Sequence, residues 1–398
     1  MTDVWILGGT GRVGRGLADA LAAIGHSPVL VGRDAGRLRA AAAGQGHATY
    51  VAPDLDAAAA GIRTARPAVV VSTVGPFSRT AGPVVDACLA AGSDYVDLAN
   101  DLGAVTALLA RGAEAERAGR TLVTGAGFGV VATESVVAWL CSPDGSDAET
   151  SSDDAARSER RAVRVRTDML PALATEAGAL GEALAGTLVD GLPGVPGGGR
   201  FQGRRVVDGR LAPAPLAGDV LELVTPDGDR LSSALMPLGE LVAAQHASGA
   251  ATVESGSSEV PHGRLVRVVL PVAAGLLAVG PFRRLAARRL AAVRLPERPA
   301  PRAHSWGHAR VTWEDGTTTD GWLRLGEAQA TTNAVAAEVV RRLLAGDGRP
   351  GAFTPAALLG TGLATAVGGT FSRTEGTNTR SATTRTDITS TRTEGDHA

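Results

Sequence analysis

The 398-residue chain contains no lysine, since every one of its basic residues other than histidine is an arginine. This absence excludes catalysis through a lysine Schiff base and a Walker-type phosphate-binding lysine. It also excludes the Tyr-x-x-x-Lys dyad of short-chain dehydrogenases, and only two tyrosines, Tyr50 and Tyr95, are present. Cysteine is equally scarce. Cys88 and Cys141 are far apart in the sequence, so we predict two reduced thiols and neither a disulfide nor a metal pair.

Several other classes of function lack support in the sequence. The formal net charge is −2, so there is no basic excess of the kind that attracts nucleic acid. No HExxH or CxxC motif is present, and His304 and His308 have no sensibly spaced third ligand, so no metal site is expected. A strand pattern begins close to residue 3 and leaves no room for a secretion signal, which makes the cytoplasm the expected location.

The most informative segment lies between residues 4 and 33. An apolar run, Val4–Leu7, predicts a buried strand, and a glycine-rich turn follows it. Apolar residues at helical spacing then predict a helix, and the apolar run 29–31 predicts a second strand. This order is the fingerprint of a dinucleotide-binding site, in which glycines let the backbone approach a pyrophosphate. The turn residues predicted to contact the dinucleotide are Gly8, Gly9, Thr10, Gly11, Arg12 and Val13.

The residue after the second predicted strand, Arg33, indicates which dinucleotide is bound. NAD-binding domains place a carboxylate there, which accepts hydrogen bonds from the ribose 2′-hydroxyl, whereas a guanidinium suits a 2′-phosphate. Arg37, one helical turn further on, could assist, and the adjacent Asp34 is accounted for as a helix N-cap. We therefore predict NADP(H) as the cofactor.

Strand and helix patterns alternate to about residue 140. Six strand patterns separated by Ala- and Leu-rich helical patterns predict an α/β fold with a doubly wound parallel sheet, a Rossmann domain. Ligands of such sheets lie where strand order reverses between the first and fourth strands, so the loop after the fourth strand should face the glycine turn. Its residues predicted to contact the cofactor are Thr73, Val74, Gly75, Pro76 and Phe77. Asp54, after the third strand, fits either an adenine contact or a helix N-cap.

Composition divides the rest of the chain. The Rossmann domain is predicted over residues 1–141, and the polar residues 142–162 predict a loop or linker. Mixed strand and helix patterns over 163–345 predict a second, α+β substrate domain. Residues 370–398 are rich in Thr, Ser and Arg and have too few large apolar side chains to form a core, which predicts a disordered tail.

One apolar stretch, residues 268–282, contains no charged residue but is interrupted by proline and glycine. It is too short to span a bilayer. A buried helix or lid explains the stretch. The alternative is a surface that lies on a membrane, aided by the arginines that follow. These arginines are Arg283, Arg284, Arg288 and Arg289.

Further motifs extend the pattern of the glycine turn. They are Val-Gly-Arg at 31–33, Val-Gly-Pro-Phe-Ser at 74–78, Ala-Cys-Leu-Ala-Ala-Gly at 87–92 and Tyr-Val-Asp-Leu at 95–98. Together they resemble the saccharopine dehydrogenase-like oxidoreductases, which include saccharopine reductases, carboxynorspermidine dehydrogenases and bacterial trans-acting enoyl reductases. Residues 349–360 also resemble the family's closing segment, so we expect residues 346–369 to pack back on the Rossmann domain. The resemblance implies an NADP-dependent oxidoreductase.

Two departures from the family concern the substrate pocket. Enoyl-reductase-like members carry Gly-Phe-Asp-Ser-x-Pro-Ser-Asp after the sixth strand. Residues 127–134 lack the first aspartate and the proline of this block, and of its two acidic positions only the final one is kept, as Glu134. We interpret Glu134 as opening a helix and stabilising its dipole. The family's Tyr-Val-Asp-Leu-Thr-Gly-Glu is here Tyr-Val-Asp-Leu-Ala-Asn-Asp, which ends at Asp101. These changes alter the polarity of the pocket and leave cofactor binding untouched.

Tyr95 and Asp97, at the fifth strand, are the candidate catalytic residues. Hydride transfer requires orientation, exclusion of water and often one proton donor, a role that Tyr95 could fill. The alternative is that the Tyr95 hydroxyl satisfies a backbone carbonyl while Asp97 caps the next helix.

The leading hypothesis is an NADPH-dependent reductase. It would transfer a hydride to a C=N or conjugated C=C bond of a small, apolar or carrier-bound biosynthetic intermediate that lies between the two domains. One alternative is a non-catalytic NADP(H)-binding sensor or scaffold, and another is a membrane-surface lipid-binding protein. The expected partner is a small-molecule substrate and not nucleic acid, while membrane contact and a homodimer remain open.

Overall fold

A seven-stranded parallel sheet forms the N-terminal domain. The computed structural model describes residues 4–44, 46–142, 160–175, 177–179, 185, 203–260, 272, 275–277 and 279–374. The strands of this sheet are β1 (Val4–Leu7), β2 (Val29–Gly32), β3 (Ala48–Val51), β4 (Val69–Ser72), β5 (Asp94–Asp97), β6 (Thr121–Val123) and β17 (Gly351–Phe353). Their order is β17-β6-β5-β4-β1-β2-β3, so the order reverses between β1 and β4 as predicted.

Helices cover both faces of this sheet. They include α1 (Arg12–Ala23), α2 (Ala35–Ala42), α3 (Leu55–Ala65), α4 (Phe77–Ala91), α5 (Leu102–Leu109), α6 (Gly112–Ala118) and α7 (Phe128–Cys141). Buried branched side chains of the strands, such as Ile6 and Val71, pack on one face against Leu17 and Leu21 of α1. The predicted Rossmann fold is confirmed. Residues 102–118 form two consecutive helices, α5 and α6.

A second, nine-stranded mixed sheet forms the other domain. Its strands are β7 (Ala162–Leu170), β9 (Gly203–Val207), β10 (Arg210–Ala214), β11 (Leu221–Val224), β12 (Arg230–Leu235), β13 (Thr252–Ser257), β15 (Ser305–Trp313), β16 (Thr318–Leu325) and β18 (Thr370–Thr374). Its main path runs β10-β9-β13-β7-β15-β16-β18, and β11 and β12 form a hairpin beside β13. The short strands β8 (Gly178–Ala179) and β14 (Arg294–Leu295) pair separately. The predicted α/β architecture with a second α+β domain is confirmed.

Helix α7 joins the two sheets. Its backbone lies directly on β15, because a Cβ at Gly307 would sit 2.2 Å from the Ala132 carbonyl oxygen. Val136 and Val137 of this helix pack with Val165 and Val311 in a core that belongs to the second sheet. Other helices in the described part of the chain include α8 (Glu240–Ser248), α9 (Gly280–Ala291), α10 (Ala328–Ala345), α11 (Pro355–Leu359) and α12 (Gly362–Ala366). None of the helices in the described residues combines the length and hydrophobicity needed to cross a membrane.

The C-terminal third returns to the first domain earlier than the sequence predicted. Helix α10, which falls inside the predicted substrate domain 163–345, packs Val335 and Val339 against the core of the first sheet. Residues 351–353 then add strand β17 beside β6, a seventh strand that the sequence analysis did not predict. A three-residue strand carries too little periodicity to be recognised from the sequence.

The structure changes the start of the predicted tail. Residues 370–374 form β18, which pairs with β16, and Phe371 stacks on Trp139 with ring centroids 5.1 Å apart. The aromatic contact and the ladder hydrogen bonds outweigh the polar composition of this segment. The rest of the predicted tail, 375–398, and residues 143–159 of the predicted linker lie outside the described residues.

Candidate dinucleotide and substrate site

The glycines of the turn between β1 and α1 leave the backbone uncovered by side chains. This turn lies where the strand order of the first sheet reverses, between β1 and β4. Gly8 has a φ of +81°, a left-handed conformation that favours glycine. A Cβ at Gly9 would lie 2.8 Å from Leu30 Cβ, and one at Gly14 would lie 2.3 Å from the Gly8 carbonyl oxygen. No side chain caps α1, and its first turn carries no acidic residue. These features suit an anionic pyrophosphate at the helix N-terminus.

The other predicted turn residues lie around this helix start. Gly11 is the N-cap of α1, and Arg12 and Val13 are the first half-buried residues of the helix. The carbonyl oxygen of Thr10 accepts a hydrogen bond from Arg15 Nη1 at 2.8 Å. The turn is therefore fixed by the helix that follows it.

Arg33 lies directly after β2 and is exposed, as is Arg37 in α2. Asp34 caps α2, as predicted, because its side chain accepts a hydrogen bond from the Arg37 backbone nitrogen at 2.8 Å. Asp54 likewise caps α3 by accepting from the Ala57 backbone nitrogen at 2.8 Å. Between the two interpretations of Asp54, this geometry favours the cap, while Arg33 remains the residue suited to a 2′-phosphate.

The loop after β4 faces the glycine turn. The Thr73 hydroxyl donates to the Leu7 carbonyl oxygen at 2.9 Å, which ties the ends of β4 and β1 together. Val74 accepts a hydrogen bond from the Thr80 hydroxyl, and the Gly75–Pro76 peptide bond is cis. The Phe77 side chain is buried in a cluster with Ala99 and Val105, so only its backbone could meet a cofactor.

The predicted proton donor, Tyr95, lies in the core of the first domain. Its side chain is buried among Trp5, Val70 and Cys88, and its hydroxyl donates to Asp97 Oδ2 at 3.1 Å. Burial, together with the charge of Asp97, raises the pKa of Tyr95 well above its usual value. The hydroxyl lies inside the core of a single domain, where a movement of one domain against the other does not expose it, so this geometry argues against Tyr95 as the donor.

Asp97 organises the carboxyl edge of the sheet instead of capping a helix. Its Oδ1 accepts from the Ala99 backbone nitrogen at 3.0 Å, the Thr124 hydroxyl at 2.8 Å and the Gly125 backbone nitrogen at 3.2 Å. Burial raises its pKa to about 6, and these hydrogen bonds oppose the rise. Asp97 therefore links the loops that follow β5 and β6, a positioning role rather than a catalytic one. The helix after β5 is capped by Asp101, whose side chain accepts from the Ala104 backbone nitrogen.

We expect Tyr95→Phe to lower the free energy of unfolding by about 1 kcal/mol, because Asp97 loses one buried hydrogen bond. Turnover should stay near the wild-type value, since the ring and its packing remain. Urea unfolding and NADPH oxidation by the same preparations measure both quantities. A stable variant with strongly reduced turnover would restore Tyr95 to the mechanism.

Glu134 does not open a helix, which corrects the prediction. It lies in the middle of α7, fully buried, and its carboxylate caps the distant helix α11. It accepts from the Thr354 hydroxyl and from the backbone nitrogens of Ala356 and Ala357, the latter two at 3.1 Å. Burial raises its pKa to about 7, opposed by these hydrogen bonds. Glu134 thus fastens the C-terminal segment to α7.

Another buried carboxyl group, Glu240, lies at the seam between the two domains and was not predicted. With the Asn100 amide turned so that its nitrogen faces Glu240, that nitrogen lies 2.8 Å from Glu240 Oε1. Gly129 is packed so closely that a Cβ there would lie 2.5 Å from the same oxygen and 3.0 Å from the sulfur of Met169. The Gly239 backbone nitrogen donates to the Asn100 carbonyl oxygen at 2.9 Å. The carboxyl edge of β5 and the start of α8 therefore meet at Glu240.

Burial raises the pKa of Glu240 from 4.5 to about 8, and only partial compensation comes from its own backbone nitrogen and Asn100. Between these pH values the folded state holds a proton that the unfolded chain releases. The contribution of Glu240 to the free energy of unfolding is therefore fully present below pH 4.5 and is lost as the pH rises through about 8.

We expect the wild-type free energy of unfolding to fall by up to about 1.4 kcal/mol per pH unit across this window through Glu240. Urea unfolding at about pH 5 and about pH 8 measures the change. The variant E240Q, which cannot ionise, should lose this part of the pH dependence, whereas E116Q at an exposed position should keep it. Equal slopes for wild type and E240Q would contradict the assignment.

The second sheet carries a charged network on the face away from α7. His308 lies between two carboxylates, with Nδ1 3.2 Å from Asp168 and Nε2 3.0 Å from Asp320. Arg166 and Arg310 complete the network through Asp168 and Asp320, respectively. The hydrogen bonds and charges of the carboxylates raise the pKa of His308 against the opposing effect of its burial. Within the described part of the chain, no cluster of potential ligands suits a metal ion.

The reversal point, the glycine turn and Arg33 together define a dinucleotide-binding Rossmann domain. Residues 4–123 match the family model for the saccharopine dehydrogenase NADP binding domain. The predicted resemblance and the predicted NADP(H) cofactor are thus confirmed for this domain. The bare turn and the exposed guanidinium fit that dinucleotide, because one leaves room for its pyrophosphate and the other suits its 2′-phosphate.

Curated relatives match part of the same region. A trans-acting enoyl reductase of Mycobacterium tuberculosis is 37% identical over 107 residues, which are 25% of this chain and 26% of that protein. Another protein of that organism, provisionally named a trans-acting enoyl reductase, is 40% identical over 106 residues, 25% of each chain. The matched region thus spans about a quarter of the length of these relatives.

A solved structure matches nearly the whole fold. The apo saccharopine dehydrogenase (L-Glu forming) of Saccharomyces cerevisiae superposes with a TM-score of 0.57 over 94% of this chain and 100% of that chain. The sequence identity is 15%, so this match concerns the fold alone. It supports the architecture of both domains.

Proposed function

We propose that this protein is an NADPH-dependent reductase acting on a C=N or conjugated C=C bond. The observation that carries the proposal is a buried, weakly acidic carboxyl group, Glu240, at the carboxyl edge of a dinucleotide-binding sheet. The reaction needs a hydride at one atom of the double bond and a proton at the other. Bound NADPH supplies the hydride, and the protein must supply orientation, a dry site and the proton.

The first domain holds the dinucleotide in this proposal. Backbone N–H groups of the glycine turn and of the first turn of α1 bind the pyrophosphate, and Arg33 binds the 2′-phosphate. Thr73 fixes the β4 loop on the opposite side by its hydrogen bond to Leu7. Asp97 keeps the next two loops in place through its backbone and hydroxyl donors.

Glu240 is the proton donor that the arrangement of hydrogen bonds favours. Asp97 and Glu134 are also buried acids with raised pKa values, but each is surrounded by several donors that favour its ionised form. Glu240 has the amide of Asn100 as its side-chain partner and keeps its proton near neutral pH. The proposal requires the seam between α8 and the loop after β5, which belong to different domains, to open and expose this proton to a substrate.

The surroundings of Glu240 favour an apolar substrate. Met169 of β7 and Gly129 of α7 border the carboxyl group. Val165, which also lies in β7, packs in the apolar core beside α7. The charged groups of that strand, Arg166 and Asp168, belong to the network on the other face of the second sheet. A small apolar or carrier-bound intermediate therefore suits the seam better than a dicarboxylic amino acid.

The test is substrate-dependent NADPH oxidation with matched sets of α,β-unsaturated thioesters and cyclic imines, each in short and long alkyl forms. We expect turnover with one set, increasing with alkyl length. Tight NADPH binding without turnover of any compound would favour the alternative of an NADP(H)-binding sensor.

A further inference from the structure

A patch of exposed apolar side chains lies on and around α9. Phe282 and Leu285 are 55% and 54% exposed. Six of the eleven exposed large hydrophobic residues in the described part of the chain fall in this one segment. They are Val272, Leu276, Val279, Phe282, Leu285 and Val293. Exposed apolar side chains gathered in this way mark an interaction surface.

The charge of this segment has one sign. Residues 260–296 contain seven arginines and no aspartate or glutamate. Arg288 and Arg289 follow Leu285 by three and four positions, so they neighbour it on the helix surface. Arg284, Arg288 and Arg289 are exposed, and none of them forms an ion pair with another described residue. The helix therefore presents exposed apolar side chains together with these cationic groups.

We propose that α9 binds the surface of an anionic phospholipid bilayer, lying in the plane of the interface. Phe282 and Leu285 enter the acyl boundary, while Arg284, Arg288 and Arg289 contact the phosphate groups. The uniform positive charge favours this occupant over a second copy of the chain, because a symmetric contact would bring identical arginines together. No residue of α9 is buried, so the helix can dock without unpacking the domain.

Because the proposed binding is partly electrostatic, its affinity should depend on the salt concentration. Arginines near an anionic leaflet attract it over about a Debye length, so the affinity should fall as ionic strength rises. Loss of two large apolar side chains should weaken vesicle binding by at least about tenfold. Loss of the arginine charges should weaken binding to anionic vesicles to a similar degree.

Flotation of the full chain with vesicles tests the proposal. One set contains equal parts of phosphatidylglycerol and phosphatidylcholine, and the other contains phosphatidylcholine alone. The test variants are F282S/L285S and R284Q/R288Q/R289Q. The matched control is I24S, since Ile24 is 45% exposed and lies at the end of α1. Thermal unfolding and NADPH affinity verify that each variant is folded.

We expect the wild type and I24S to float with the anionic vesicles, and both α9 variants to remain with the free protein. Flotation of F282S/L285S like the wild type would overturn the proposal, as would a wild type that fails to float. Light scattering measures whether the wild type is a monomer or a dimer in solution. A wild-type dimer that F282S/L285S converts to a monomer, without vesicle binding, would show that a second copy covers the patch instead.

Discussion

We expect the variant E240Q to lower the turnover of NADPH oxidation by about 10²–10⁴-fold, the usual contribution of a general acid. The amide keeps the size of the carboxyl group and its place beside Asn100, but it has no proton to transfer at neutral pH. The Kd for NADPH should stay within about twofold, because Glu240 does not border the glycine turn. Single-turnover oxidation separates this loss from any change in product release.

The matched control is E134Q, which removes another buried acid whose pKa is raised. Glu134 holds the start of α11, so this variant should lose stability by about 1–3 kcal/mol and keep its turnover per folded molecule. Equal turnover of wild type and E240Q would remove Glu240 from the mechanism. Equal losses in E134Q and E240Q would assign both effects to disturbed packing.

We expect Arg33→Ala to raise the Kd for NADPH by about ten- to a hundredfold while the Kd for NADH changes little. A guanidinium on the 2′-phosphate contributes roughly 1.5–3 kcal/mol through charge-assisted hydrogen bonds, and NADH has no such phosphate. Fluorescence titration of both dinucleotides measures the two constants.

Arg37→Ala provides the comparison within α2, since Arg37 is exposed one helical turn further on. It should weaken NADPH binding less than Arg33→Ala does, because Arg33 follows β2 directly. If Arg33→Ala weakened NADPH and NADH equally, the guanidinium would serve the fold of the turn rather than the phosphate. A wild-type preference for NADH would contradict the cofactor assignment itself.

The first domain was predictable because its signals are local. The glycine turn needs a backbone conformation at Gly8 and close packing at Gly14 that only glycine allows. Short apolar runs separated by helical patterns indicate the buried strands directly. The caps at Asp34 and Asp54 are likewise formed within four residues of sequence. Such features depend only on neighbouring residues, so they can be recognised without knowledge of the tertiary contacts.

The substrate side was less predictable because its contacts join distant residues. Glu134 meets its partners 220 or more positions away, and Glu240 meets Asn100 across the domain seam. Neither pairing leaves a pattern in a single sequence. The sequence does contain one signal that bears on the site. Tyr95 and Asp97 are two apart on a strand and therefore share a face, which favours a hydrogen bond between them over a role for Tyr95 in the cleft.

Transfer of deuterium from the nicotinamide tests the central claim most directly. Wild-type protein is incubated with the unsaturated thioesters or cyclic imines and with NADPH that carries deuterium at the transferable position. Mass spectrometry then measures the deuterium content of the products. We predict a reduced product that carries one deuterium from the dinucleotide and one proton from solvent-exchangeable positions. Reduced product without deuterium, or unchanged compounds beside fully bound NADPH, would contradict the assignment of this protein as an NADPH-dependent reductase.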